Sequence, residues 1–133
     1  MKKISNGQYY CMKKILFPEN LSDEDKKAKA MEAHILKNFP HPCIIKYIDA
    51  FKHDGFIYLI MELCPGGDLE KKIKKVIKSG KIFSEFFVVD IMTKIVFTLL
   101  HLRWNRIVHR DIKPSNLVFK DHSCFEMRTI DFG

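Results

Sequence analysis

The chain has 133 residues, of which 47% are hydrophobic and 29% charged, ordinary values for about one globular domain and unlike a disordered segment. Its formal net charge is +7, much of it in the run EKKIKKVIKSGK (Glu70–Lys81). Four scattered cysteines (Cys11, Cys43, Cys64 and Cys124) form no C-x-x-C pair, which argues against a disulfide framework or a zinc site.

No apolar run reaches the about 18 residues of a membrane span, and MKKISNGQYY lacks the apolar stretch of a signal peptide. An intracellular protein with reduced thiols is expected, cytoplasmic or nuclear.

Asn6-Gly7 is a favoured hairpin turn, and the aromatic and apolar residues after it, through Leu16, predict a strand. Ser22–Phe39 predicts a helix. Ser22 and Asp25 stand at capping-box spacing, and acidic residues fill the first turn. Ala28, Met31, Ile35 and Leu36 make its apolar face, with Glu32 near the margin, and Pro40 and Pro42 close it.

CIIKYIDAF and FIYLIMEL flank Lys52-His53-Asp54-Gly55, an antiparallel hairpin signal. The second strand runs into CPGGD, a break with the composition of a hinge. Leu69–Ser79 then predicts a lysine-rich helix closed by Gly80. Its lysines read first as a solvated face; an acidic partner or nucleic acid is the sharper alternative.

A second helix runs from near Ser84 to about Arg103, with Ile91, Ile95, Leu99 and Leu102, widened by Met92 and Val96, as its buried face. Short strands and loops follow, with a turn at Asp121–Ser123. The order is strand, helix, two strands, hinge, then helices and short strands: an α+β chain with a small sheet-rich lobe on a helical one.

IVHRDIKPSNLVF holds the densest chemistry. It places His109, Arg110, Asp111, Lys113 and Asn116 around Pro114, between Ile107-Val108 and Leu117-Val118, read as two short strands. Proline disfavours a helix here, so a loop aims a carboxylate, an ammonium and an amide at one point. With Asp131 after the next strand, the set offers a base, a cation and two oxygen ligands suited to Mg2+. Metal-assisted phosphoryl transfer needs that combination.

HRDIKPSN and DFG together resemble the eukaryotic protein kinase family, whose motifs are H-R-D-x-K-x-x-N and D-F-G. The resemblance implies a two-lobed kinase fold, incomplete here: a partial N-lobe antiparallel sheet with helix C (1–63), a hinge (64–68) and the start of the helical C-lobe (69–133). It also implies ATP and Mg2+ as cofactors and Ser/Thr-containing proteins as substrates. Asp111 would accept the substrate hydroxyl's proton and Lys113 would neutralise the transferring phosphate. Asn116 and Asp131 would hold the metal, and Arg110 would organise an activation segment. Lys113 within DIKPSN resembles the serine/threonine kinases.

Upstream, YYCMKKI resembles the family's V-A-I-K strand, with Cys11 at the small-residue position and Lys13 as the lysine. Alternation favours Lys13 over Lys14, since Lys13 shares a strand face with Cys11. Glu32 stands at the family spacing before His41-Pro42 for the glutamate that pairs with that lysine. YLIMELCPGGDL resembles the strand entering the hinge. Met61 would be the gatekeeper, Glu62 and Cys64 would offer backbone groups to adenine, and Val118 with Cys11 would sandwich the ring. Asp68 would reach the ribose, cap the helix that follows, or both. Leu36, Tyr47, His109 and Phe132 would stack as the regulatory spine, and GGDLEKKI faintly resembles the NIMA-related subfamily.

Two parts of the pattern are not in the sequence: the Gly-rich loop and everything after the D-F-G motif. The chain is therefore expected to be a fragment of a larger kinase with little activity alone. Arg103 stands where the family often has histidine. A kinase-like binding module without catalysis is the alternative, although Lys13, Glu32, Asp111, Asn116 and Asp131 are all retained. A nucleic-acid-binding domain rests only on the net charge.

Overall fold

The hairpin expected around Asp54-Gly55 is present in the computed structural model, which describes residues 7–132. Asp54 (φ 46°) and Gly55 (φ 73°) are both left-handed, the backbone of a tight two-residue turn. The turn joins β2 (Tyr47–His53) to β3 (Phe56–Glu62), and β1 (Tyr10–Leu16) pairs with the other side of β3. The sheet is antiparallel in the order β1-β3-β2. Ile57, Leu59, Ile60 and Met61 of the central strand are all buried, so its run of apolar residues is explained by cover on both faces. Asn6 of the predicted first turn lies outside the described residues.

Under the sheet runs α1 (Asp23–Asn38). Ser22 caps it, accepting the Asp25 N–H at 3.1 Å. Its inward face differs from the expected stripe: Glu32, Ile35 and Leu36 are buried, whereas Met31 is 48% exposed. The helix is turned so that a carboxylate, drawn in by Lys13, takes the place expected for a methionine.

The strand expected from Cys43 starts only at Tyr47. The residues before it bond elsewhere: Thr129 donates its N–H to Cys43 O at 2.8 Å, and Ile45 donates to Thr129 O at 3.1 Å. This strap ties the link between α1 and β2 to the lower half of the molecule.

That lower half holds α2 (Leu69–Lys78), α3 (Glu85–Trp104), β4 (Leu117–Phe119) and β5 (Met127–Thr129), the two strands pairing antiparallel. Asp68 caps α2 by accepting the Lys71 N–H at 2.8 Å, and Gly80 (φ 64°) follows its end. Lys71 and Lys74 pair with Asp68 and Glu70 on a solvated face.

Within α3 the buried residues are Ile91, Thr98 and Leu102; Met92, Val96 and Leu99 of the expected stripe are exposed. Apolar residues surround this helix, so periodicity alone did not select the inward side. Thr98 is tolerated there because its hydroxyl donates to Lys94 O at 2.9 Å. No described helix is long and apolar enough to cross a membrane.

Ile107-Val108 form no strand, and Val108 is 73% exposed. Among the described residues they have no partner strand to complete a ladder, and the segment from the end of α3 is irregular up to a 3-10 turn, Pro114–Asn116.

Among the described residues, two clusters form the core. One joins Ile35, Leu36, Ile44, Ile45, Leu59, Met61, Leu102 and Phe132; the other joins Leu69, Ile91, Leu117, Phe119, Cys124 and Met127. Cutting fully buried Leu59 to alanine would cost about 2–5 kcal/mol.

The glycines of CPGGD sit between the halves for different reasons. Gly66 donates its N–H to Phe119 O at 3.0 Å, and a Cβ there would lie 2.0 Å from Asp121 O. Gly67 accepts the Phe119 N–H at 2.9 Å and holds φ 77°, a conformation glycine adopts without strain.

Candidate active site

Alternation along β1 sends Lys13 and Lys14 to opposite faces, as expected. Lys14 lies outside, its Nζ 3.7 Å from the centroid of the Phe56 ring. Lys13 turns inward, where its Nζ lies 2.7 Å from Glu32 Oε2 and 2.7 Å from Asp131 Oδ1.

Burial works against the Lys13 ammonium, but its hydrogen bonds to Asp131 and Glu32 prevail and hold its pKa above the ordinary value. Burial also dominates at Glu32, where it outweighs the lysine and raises the carboxyl. The Phe132 backbone acts weakly in the opposite sense, favouring the charged carboxylate. Three distant segments therefore converge on one ammonium.

The loop after α3 gathers the second group. Lys113 Nζ lies 2.6 Å from Asp111 Oδ2 and, foremost among the causes, holds the Asp111 carboxyl below its usual range. Asn116, 4% exposed, donates from Nδ2 to Asp111 O and to Asp111 Oδ2, both at 2.9 Å. Its amide oxygen takes no part in these two bonds. Asp111 itself is exposed, with one carboxylate oxygen engaged by Lys113 and Asn116. Arg110 (φ 70°) and Asp131 (φ 61°) both hold left-handed backbone, unusual for residues with a Cβ and common where a chain is bent at a functional site.

His109 and Phe132 join the two groups. Their ring centroids are 4.6 Å apart, and both residues are 2% exposed. The imidazole Nε2 bonds to Ile130 O at 3.0 Å, while Nδ1 accepts the Asp111 N–H at 3.3 Å, an arrangement met by the neutral ring protonated at Nε2. Burial, the leading cause, lowers the His109 pKa. Leu36 and Phe132 lie in one buried cluster with Tyr47 packed against it, so the four residues expected to stack are brought together.

Of the residues expected around adenine, Cys11 is exposed and stands directly across from Met61, which is 7% exposed. Cys64 is half-buried, and burial above all pushes its thiol up to about 12. Val118 is half-buried and forms an isolated bridge with Asp68. The Asp68 side chain caps α2, so the capping alternative is realised.

One residue with no expected role stands out. Arg128, on β5 opposite Val118, donates from Nε to Glu62 Oε1 at 2.8 Å and from Nη2 to Glu126 Oε2 at 2.8 Å. A single cation within MRTIDFG was the available signal, but an arginine on a short strand usually lies in solvent.

Comparison with known proteins agrees with the geometry. The family model for the protein kinase domain matches residues 1–133. The chain belongs to the protein kinase domain family. It is 32% identical over its whole length to the serine/threonine-protein kinase Nek1 of Mus musculus, 11% of which is covered. Serine/threonine-protein kinase Nek3 of Mus musculus is 34% identical over 97% of the chain and 24% of that protein. Calcium-dependent protein kinase 3 of Plasmodium yoelii yoelii is 44% identical over 77% of the chain and 18% of that protein. The chain thus spans a quarter or less of each of these three relatives. The NIMA-related resemblance is supported by the Nek proteins among them.

Proposed function

We propose that this protein is an ATP- and Mg2+-dependent serine/threonine protein kinase. One observation carries the reading: Lys13 bonded to both Glu32 and Asp131, with Phe132 beneath it against His109. An ammonium so held is ready for the phosphates of a nucleotide, and the carboxylate beside it for their metal ion.

The roles follow from the atoms left over. Mg2+ fits the hard oxygens of Asn116 and Asp131, and it would neutralise charge on the phosphates. Asp111, its other oxygen turned to solvent, orients the substrate hydroxyl and takes its proton. Lys113, paired with Asp111 in the absence of substrate, moves to the transferring phosphate. Met61 guards the back of the adenine slot, the backbone of Glu62 and Cys64 grips the ring's edge, and Cys11 and Val118 cover its faces. Asp68 reaches the ribose from its capping position.

Residues 1–63 and 69–133 would be the facing lobes and 64–68 the hinge. Four free cysteines suit an intracellular setting.

The test is phosphate transfer from labelled ATP with Mg2+ to a generic basic protein, using the full-length protein. Lys13→Ala and Asp131→Asn are each expected to abolish it. A wild-type protein that binds ATP but transfers no phosphate would instead support a kinase-like binding module.

A further inference from the structure

The Glu62 and Arg128 side chains are 66 residues apart in sequence, and their ion pair joins the upper sheet to the lower strand pair. Both are well buried, with side-chain exposures of 15% and 13%. Glu62 Oε1 also accepts the Lys46 N–H at 2.9 Å, so one carboxylate oxygen receives donors from the link before β2 and from β5. Beyond Arg128 the charges continue, Glu126 Oε2 accepting both Arg128 Nη2 and Lys120 Nζ. Burial opposes the Arg128 charge, and its bonds to Glu62 and Glu126 outweigh that.

The positions of the two residues give the pair its meaning. Glu62 directly follows Met61 at the end of β3, and Arg128 stands opposite Val118 and three residues before Asp131. Each is thus beside one wall of the nucleotide slot. Neither side chain faces the slot. Both instead line a cavity of about 790 Å³ whose lining includes Tyr10, Pro42, Lys46 and Lys120 but not Lys13, Asp131 or Val118. A buried ion pair contributes little net stability compared with apolar packing, so its value lies more in the geometry it imposes.

We infer that Glu62 and Arg128 form a clasp behind the hinge that fixes the spacing of the two cleft walls, making both of them positioning residues for ATP. This rests on the kinase reading above. Without the clasp the walls sample several spacings, and the nucleotide binds only the fraction with the right one. Affinity for ATP then falls in proportion, while a saturated enzyme, held in place by its own ligand, still turns over.

The experiment uses the full-length protein with Glu62→Arg, Arg128→Glu and the double exchange. It measures KM for ATP, kcat and the dissociation constant of a fluorescent ATP analogue, with melting temperature alongside. Each single variant is expected to raise KM and the dissociation constant about tenfold, as a competent fraction of about one-tenth requires, with kcat within about twofold. The double exchange restores the opposite charges and is expected to return affinity to within about threefold of wild type.

Should a reversed charge prevent folding, Arg128→Lys and Glu62→Gln carry the same expectation at about threefold, since they weaken the pair without reversing it. Unchanged ATP affinity in folded single variants, or a folded double exchange no better than the worse single, would overturn the clasp while leaving the kinase reading intact. A wild-type protein that neither binds ATP nor transfers phosphate would overturn both.

Discussion

Lys13 and Asp131 meet at 2.7 Å across 118 residues of sequence, one at the edge of the upper sheet and the other just beyond the last short strand. The contact ties the upper sheet to the segment that follows β5. Glu32 shares the same ammonium, so removing the lysine leaves two carboxylates facing each other. Lys13→Met is expected to reduce phosphate transfer by a factor of about 1,000, the scale of a missing phosphate-clamping charge. Glu32→Gln retains a hydrogen-bond acceptor and should cost less, about 10- to 100-fold. The ratio of their kcat/KM values checks this, and equal losses would count against the shared-ammonium arrangement.

The cysteines divide by environment. Cys11 is exposed at the cleft, whereas the Cys64 thiol, at about 12, has almost no thiolate at neutral pH and Cys124 is buried. Iodoacetamide at pH 7.5 is expected to label Cys11 well ahead of Cys64 and Cys124. Saturating ATP with Mg2+ should slow labelling of Cys11 by about tenfold, if the ring covers it as proposed. Peptide mass mapping with and without nucleotide gives the answer directly.

Thr129 supplies a stability test free of catalysis. Its side chain is fully buried, and its hydroxyl is the one buried side-chain polar atom without a partner among the described residues. The backbone bonds to Cys43 and Ile45 do not need that oxygen. Thr129→Val should keep the shape, remove the unsatisfied group and leave unfolding free energy equal or raised by up to about 1 kcal/mol. Urea denaturation measures it, and a clear loss of stability would point to an undetected partner.

Acid should loosen the protein through His109. Burial, chiefly, places its folded pKa below the unfolded value, so below about pH 6.5 the unfolded chain takes up a proton that the folded ring refuses. The associated stability is present above that pH and is lost as pH falls toward the folded pKa. His41 acts in the same sense, through burial and its stacked neighbour His101. Glu32, raised by burial, has the opposite sign, and Asp68 and Glu126, both depressed, act only below about pH 4.5. Melting temperature is expected to fall between pH 7 and 5.5, and less steeply in His109→Phe. A parallel fall in both proteins would remove His109 from the account.

Much of this was legible in the sequence because the signals were local. Ser22, Ser84 and Asp68 cap the helices that follow them, and Asp54-Gly55 makes the tight turn its letters imply. Lys13 was separable from Lys14 by strand alternation alone. What escaped depended on partners distant in the chain. Periodicity did not show which side of α3 faces inward, because nearly all its sides are apolar. Ile107-Val108 has strand composition but no neighbouring strand to pair with. Arg128 looks like a surface residue until Glu62, on another sheet, comes within hydrogen-bonding reach.

The two glycines of CPGGD promise a loose joint, yet both are stitched to β4 through Phe119, and Asp68 continues the seam to Val118. In the proposed hinge, opening would therefore swing about Cys64–Pro65, ahead of the glycines, with Gly66 to Asp68 travelling with β4. Gly66→Ala would push a methyl group into the Asp121 carbonyl and pry up that seam without freeing the rotation. The fulcrum of that proposed hinge would be a proline-ended dipeptide, and the residues most often associated with suppleness would serve as its mounting.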